Sequence, residues 1–146
     1  MSASQFAVFH TFKNRLGQKL IDLDSDDIRC ALIASSWTPD LAAHANWADI
    51  SANEISKDGY TAGGLAVTNE SWTNSAGTQT WDCDDPTWTA GASGIAARYA
   101  VFYDNTDANK TLISYSLLDT TPADHSVTSG QVFLITLPAT GIFQMA

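Results

Sequence analysis

The residues that could do chemistry in this chain are few, and their spacing argues against most of the chemistry they suggest. His10, His44 and His125 include no pair close enough in sequence to share a metal ion, so no zinc site is expected. Asp124-His125-Ser126 holds the residue types of a hydrolase triad in adjacent positions. A proton relay needs those groups to converge from separate elements, and no Gly-x-Ser-x-Gly elbow presents a serine. Asp82, Asp84 and Asp85 offer the carboxylates of a glycosidase, but beside Pro86 they read as turn residues at a strand end. Asp22, Asp24 and Asp26 repeat the opening of an EF-hand loop. That loop needs Gly at its sixth position and Glu at its twelfth, and here those positions hold Asp27 and Ile33. Gly59, Gly63 and Gly64 surround Tyr60 without the preceding strand and following helix of a phosphate cradle. Cys30 and Cys83 have no neighbouring histidine to make a nucleophile and read as free, buried, structural cysteines. No catalytic, cofactor-binding or metal-binding residue is assigned, and the expectation is a protein that is not an enzyme.

The aromatics are the more informative set. Trp37, Trp47, Trp72, Trp81, Trp88 and Tyr60 have three available roles: core packing, a subunit interface or a sugar-stacking platform. The candidate interface set is Phe6, Phe9, Trp37, Trp47, Tyr60, Trp72 and Trp88.

Those side chains must be positioned by strands. Residues 94–104, GIAARYAVFYD, are apolar on both faces of an extended chain, with only Arg98 charged. A strand of that kind sits in the middle of a sheet and is covered on both sides. Further strands are expected at 28–34, 65–73, 78–84, 111–118 and 131–137, with a short one at 142–145. Residues 74–77 read as a four-residue hairpin connection. Phe9, Phe12, Leu16 and Leu20 recur at helical spacing, which predicts one helix over 6–20, capped by Ser2 or Ser4 and ended early by Gly17. That segment either covers a sheet face or forms an arm that docks on a neighbouring subunit. Residues 35–64 form a long excursion with a short helical turn near Trp47.

The fold expected is mainly β, an antiparallel β-sandwich (jelly-roll-like) of about seven or eight strands with one N-terminal α-helix. It spans residues 1–146 as a single domain, with 1–20 as a helix or arm. Sixteen acidic against seven basic residues give a formal charge of −9, which disfavours phosphate backbones, so no nucleic-acid partner is expected. No basic region followed by an apolar run opens the chain, and no run is long enough to span a bilayer; synthesis in the cytoplasm and no membrane partner are expected.

Several segments carry a family resemblance. They are Ile21-Asp22-Leu23-Asp24-Ser25-Asp26 running into Ile28-Arg29-Cys30-Ala31-Leu32, then Trp37-Thr38-Pro39-Asp40. Trp47 to Ser56 (WADISANEIS) and Gly59-Tyr60-Thr61-Ala62-Gly63-Gly64 follow. Thr87-Trp88, Ala97-Arg98-Tyr99-Ala100-Val101-Phe102-Tyr103 and Leu112-Ile113-Ser114-Tyr115 complete the set. In these the chain resembles a family of small structural proteins of tailed-bacteriophage virions, encoded among head and tail genes. The resemblance implies a capsid decoration (cement) protein on the outer face of the head. Its partners would be the major capsid protein and other copies of itself, as a homotrimer or another homo-oligomer. Neck, tail or fibre stations belong to the same implication, and a carbohydrate-binding module is the rival from another class.

Overall fold

The computed structural model describes residues 6–146, and the architecture is mainly β, antiparallel and sandwich-like, with one helix near the N-terminus. Strand β1 (Ala7–Val8) leads directly into helix α1 (His10–Gly17). Then come β2 (Ile28–Ile33), two 3-10 turns at Trp47–Asp49 and Ser51–Asn53, and β3 (Leu65–Ala66). The hairpin β4 (Ser71–Ser75) and β5 (Thr78–Asp82) precedes β6 (Thr87–Thr89), β7 (Ile95–Ala97) and β8 (Tyr99–Asp104). The chain ends with β9 (Leu112–Leu117), β10 (His125–Val127), β11 (Val132–Leu134) and β12 (Phe143–Met145).

Strand β8 holds the middle of a five-stranded sheet of order β1-β9-β8-β2-β3. Every residue of it after Tyr99 is buried, as its two apolar faces require. Pairing runs from Ile28 opposite Asp104 to Ile33 opposite Tyr99 on one side, and a bulge separates Phe102 from Tyr103 on the β9 side. Cys30, Leu32, Ala100 and Phe102 share one face of this sheet, and Phe102 there meets Phe6 and Trp81. Tyr99, Val101 and Tyr103 lie on the other face. Trp37 packs edge-on against Tyr99 and Tyr115 there, and Trp47 stacks on Tyr103. A three-stranded sheet, β12-β5-β4, supplies Trp81 and Phe143 to the first face, while the excursion 35–64 covers the second.

Several expected elements are divided differently. The run 94–104 breaks at Arg98, where β7 leaves the central sheet to pair with β10. Burying an unpaired guanidinium on a sheet face is costly, and Arg98 points outward to meet Asp124 at 2.7 Å. The run 65–73 splits into β3 and the start of β4, and 131–137 is a strand only at Val132–Leu134, where Phe133 is buried and its two neighbours are exposed. Among the described residues twelve strands replace seven or eight, because two expected runs are split and β1, β6 and β10 form where no strand was expected. The hairpin connection is two residues, not four, since Asn74 and Ser75 pair with Gln79 and Thr78. Ala76 (φ 51°) and Gly77 (φ 88°) form it, the twist of a type I′ turn.

The helix covers 10–17 rather than 6–20. Ala7 and Val8 instead pair with Tyr115 and Ser114 on the edge of β9, because ladder bonds to an existing sheet outweigh a helical preference in so short a stretch. Gly17 does end the helix, and Lys19 follows with φ 61°. Leu20, placed on the apolar face by its spacing, is 55% exposed. Ser2 and Ser4 lie outside the described residues.

Candidate functional site

Three places gather functional groups. The first ties the excursion 35–64 to the central sheet. The Tyr60 hydroxyl accepts the Leu32 N–H (3.1 Å) and donates to Glu54 Oε1 (2.6 Å), which also accepts the Gly63 N–H (2.6 Å). The Tyr103 hydroxyl donates to the Gly63 carbonyl (2.6 Å), and the Trp47 ring lies 4.4 Å from the Tyr103 ring at 15°. Burial pushes the Tyr103 phenol up to about 12 and Tyr60 higher still, so both remain protonated donors at neutral pH. Gly64, at φ +74°, presses on the backbone of Cys30, where a Cβ would come within 2.1 Å of the carbonyl oxygen. Gly59, at φ +89°, makes a separate close approach, to the backbone of Thr89 and Gly91.

The second place is a cleft of about 340 Å³ lined by Leu16, Ile21, Leu23 and Trp72, with Lys19, Asp22 and Asp24 at its polar side. Trp72 backs onto Phe143 at 6.1 Å and is half-buried. The third is an acidic corner where the turn 22–27 meets the turn after β8. Asp27 accepts the Asn105 N–H at its carbonyl (2.8 Å) and the Asn105 side-chain amide at Oδ2 (2.8 Å). Asp104 sits fully buried at the base of that corner.

The groups with catalytic chemistry are tied into turns. Asp84 Oδ2 accepts from Thr68 and Asn69, Asp85 Oδ1 from the Leu137 N–H, and Asp82 Oδ1 from the Cys83 N–H. Asp124 is paired with Arg98, while His125 packs 4.9 Å from Phe133, and burial lowers its pKa. His44 Nδ1 accepts the Asp40 N–H at 3.3 Å. Burial raises the thiol of Cys30 and that of Cys83, the latter helped by Asp82 and Glu70, which removes thiolate at neutral pH. Both cysteines are free; Cys30 is buried, whereas Cys83 falls just beyond β5 and is only half-buried. Among the described residues no group of three or more His, Cys, Asp or Glu is placed to hold a metal ion.

The seven candidate interface aromatics divide in two. Phe6, Phe9, Trp37 and Trp88 are at most 7% exposed, because they fill the chain's own core. The described part of the expected docking arm therefore spends its aromatics internally. Trp47, Tyr60 and Trp72 are half-buried, the first two in the brace and the third in the cleft. Among the described residues the exposed large hydrophobics are instead Leu20, Val132 and Leu134. Sequence reasoning weighed Asp26 as part of an EF-hand opening and took Asp104 as the last residue of the run 94–104. The one signal was a carboxylate closing a strand that is otherwise apolar on both faces. Comparison with family models, curated proteins and solved structures finds no match to this chain.

Proposed function

We propose that this chain is a non-enzymatic structural component of a tailed-phage virion, a decoration or cement protein bound to the outer face of the head. In this reading it contacts the major capsid protein and other copies of itself. The observation that supports the reading most is where the resemblance-bearing residues fall. Ile28 to Leu32 form most of β2, Tyr99 to Tyr103 most of β8, and Leu112 to Tyr115 open β9. Trp47, Glu54, Tyr60 and Gly63 make the brace that locks the excursion onto those strands. The resemblance thus concerns one physically connected scaffold. Titratable side chains committed to turns favour a role in binding over one in catalysis. A cement protein adds modest contacts per copy, which lattice symmetry multiplies.

The deciding experiment is cryo-electron microscopy of the virion carrying this chain, with copies counted per particle. Hundreds of copies at regular lattice positions support the cement reading; a handful at a vertex or on the tail move the protein to neck, tail or fibre. The Trp72 cleft favours a second reading, host-glycan contact, since one indole wall beside carboxylates and a lysine suits a sugar ring. A single such wall gives only weak affinity per site. A glycan array without a hit would remove that reading.

A further inference from the structure

The Asp104 carboxyl is fully buried at the end of the central strand and only half satisfied. Its Oδ1 accepts the N–H groups of Thr106 (2.8 Å) and Asp107 (3.2 Å). Its Oδ2 is buried and meets no donor. The group within hydrogen-bonding reach is another acceptor, the carboxyl of Asp26. Asp26 is held there by the Asp22 N–H, which donates to its Oδ2 at 2.8 Å. Two carboxylates cannot hydrogen-bond to each other, whereas a carboxylic acid donates readily to a carboxylate. The surrounding charges do not relieve the conflict. On the acidic turn these are Asp22 and Asp27, and Arg29 of β2 is turned to Asp27 at 3.1 Å. On the turn after β8 it is Asp107, with Arg15 of α1 turned to it at 3.7 Å.

We propose that Asp104 and Asp26 hold one proton between them, and that this proton is a pH-sensitive latch fastening the acidic turn 22–27 to the end of the central strand. The inference is independent of the virion reading. Burial pushes the Asp104 carboxyl up to about 7; the N–H groups of Asp107 and Thr106 oppose the rise and Asp26 adds to it. A carboxyl with a raised pKa in the folded chain keeps its proton over a window in which the unfolded chain has lost it. Its stabilising effect is complete below about pH 4 and is lost as pH rises through about 7. Above that pH the two turns remain joined through Asn105, Thr106 and Asp27, but across a pair of repelling carboxylates.

The test is urea unfolding of the full chain from pH 5 to pH 8, for wild type, Asp104→Asn and Asp26→Asn. In wild type the unfolding equilibrium constant rises with pH, by up to about tenfold per unit where the slope is steepest. In Asp104→Asn the amide donates to Asp26 in the proton's place, and the slope collapses. Burial lowers the His125 pKa, so its contribution has the opposite sign and is common to all three chains, and the difference between chains isolates the pair. Asp26→Asn supplies the donor from the other side and flattens the profile in part, since the burial of Asp104 remains; its half-buried site decides the matter if Asp104→Asn does not fold. An equal slope in wild type and Asp26→Asn overturns the latch. So does calcium chloride at pH 8 raising the melting temperature of wild type but not of Asp26→Asn, since a cation would then be the bridge.

Discussion

Tyr103 and Asp104 are neighbours at the end of the same strand, and the two regions they anchor bury polar groups in opposite ways. At Tyr103 the brace is complementary: Tyr60 and Tyr103 donate, Glu54 and the Gly63 carbonyl accept, and the Leu32 and Gly63 N–H groups find partners. At Asp104 an acceptor faces an acceptor. Burial costs little where donors match acceptors, and it depends on protons where they do not. The brace should be indifferent to pH across the neutral range, and the corner should not.

The largest expected effect breaks the brace through its backbone. Gly64→Ala places a Cβ against the Cys30 carbonyl at a positive φ, with backbone on both sides and no flexible side chain to yield. A loss of about 3 kcal/mol or more is expected, read as a shift of the urea midpoint or as failure to fold. Tyr60→Phe is smaller. It keeps the ring but strands the Leu32 N–H and removes the donor to Glu54, for a loss of about 1–3 kcal/mol. That loss should be the same at pH 5 and pH 8, because the Tyr60 phenol stays protonated throughout. A loss that varied with pH would erase the contrast between the two regions.

The sequence disclosed these regions unequally, for a physical reason. The central strand was legible because period-two alternation with both faces apolar has one solution, and β2 and β9 were legible for similar reasons. The break at Arg98 was signalled by the lone charge, but its partner, Asp124, lies 26 residues away. The brace was invisible as a unit because Leu32, Glu54, Tyr60 and Tyr103 are joined only by tertiary contacts. Three glycines around a tyrosine suggested close backbone approach without saying to what. The exposed faces of Val132 and Leu134 ran against the expectation of a full strand at 131–137, where β6 pairs with only three residues. Whether a carboxylate in an acidic turn points to water or into the sheet is likewise decided by packing that no local pattern records.

The smallest effect is a control lying in neither region. Ala76 holds φ 51° in the first position of the two-residue turn between β4 and β5, where an alanine Cβ is unfavourable and asparagine is well tolerated. Ala76→Asn should raise stability by about 0.5–1 kcal/mol, seen as a higher urea midpoint with an unchanged slope. The gain should add to the Tyr60→Phe loss without interaction, since the turn shares no partner with the brace. It should also leave the pH profile of the Asp104 corner untouched. A change in that profile would mean that the hairpin and the acidic turn communicate, for which Trp81 is the available route, its Nε1–H reaching the Leu23 carbonyl at 3.3 Å.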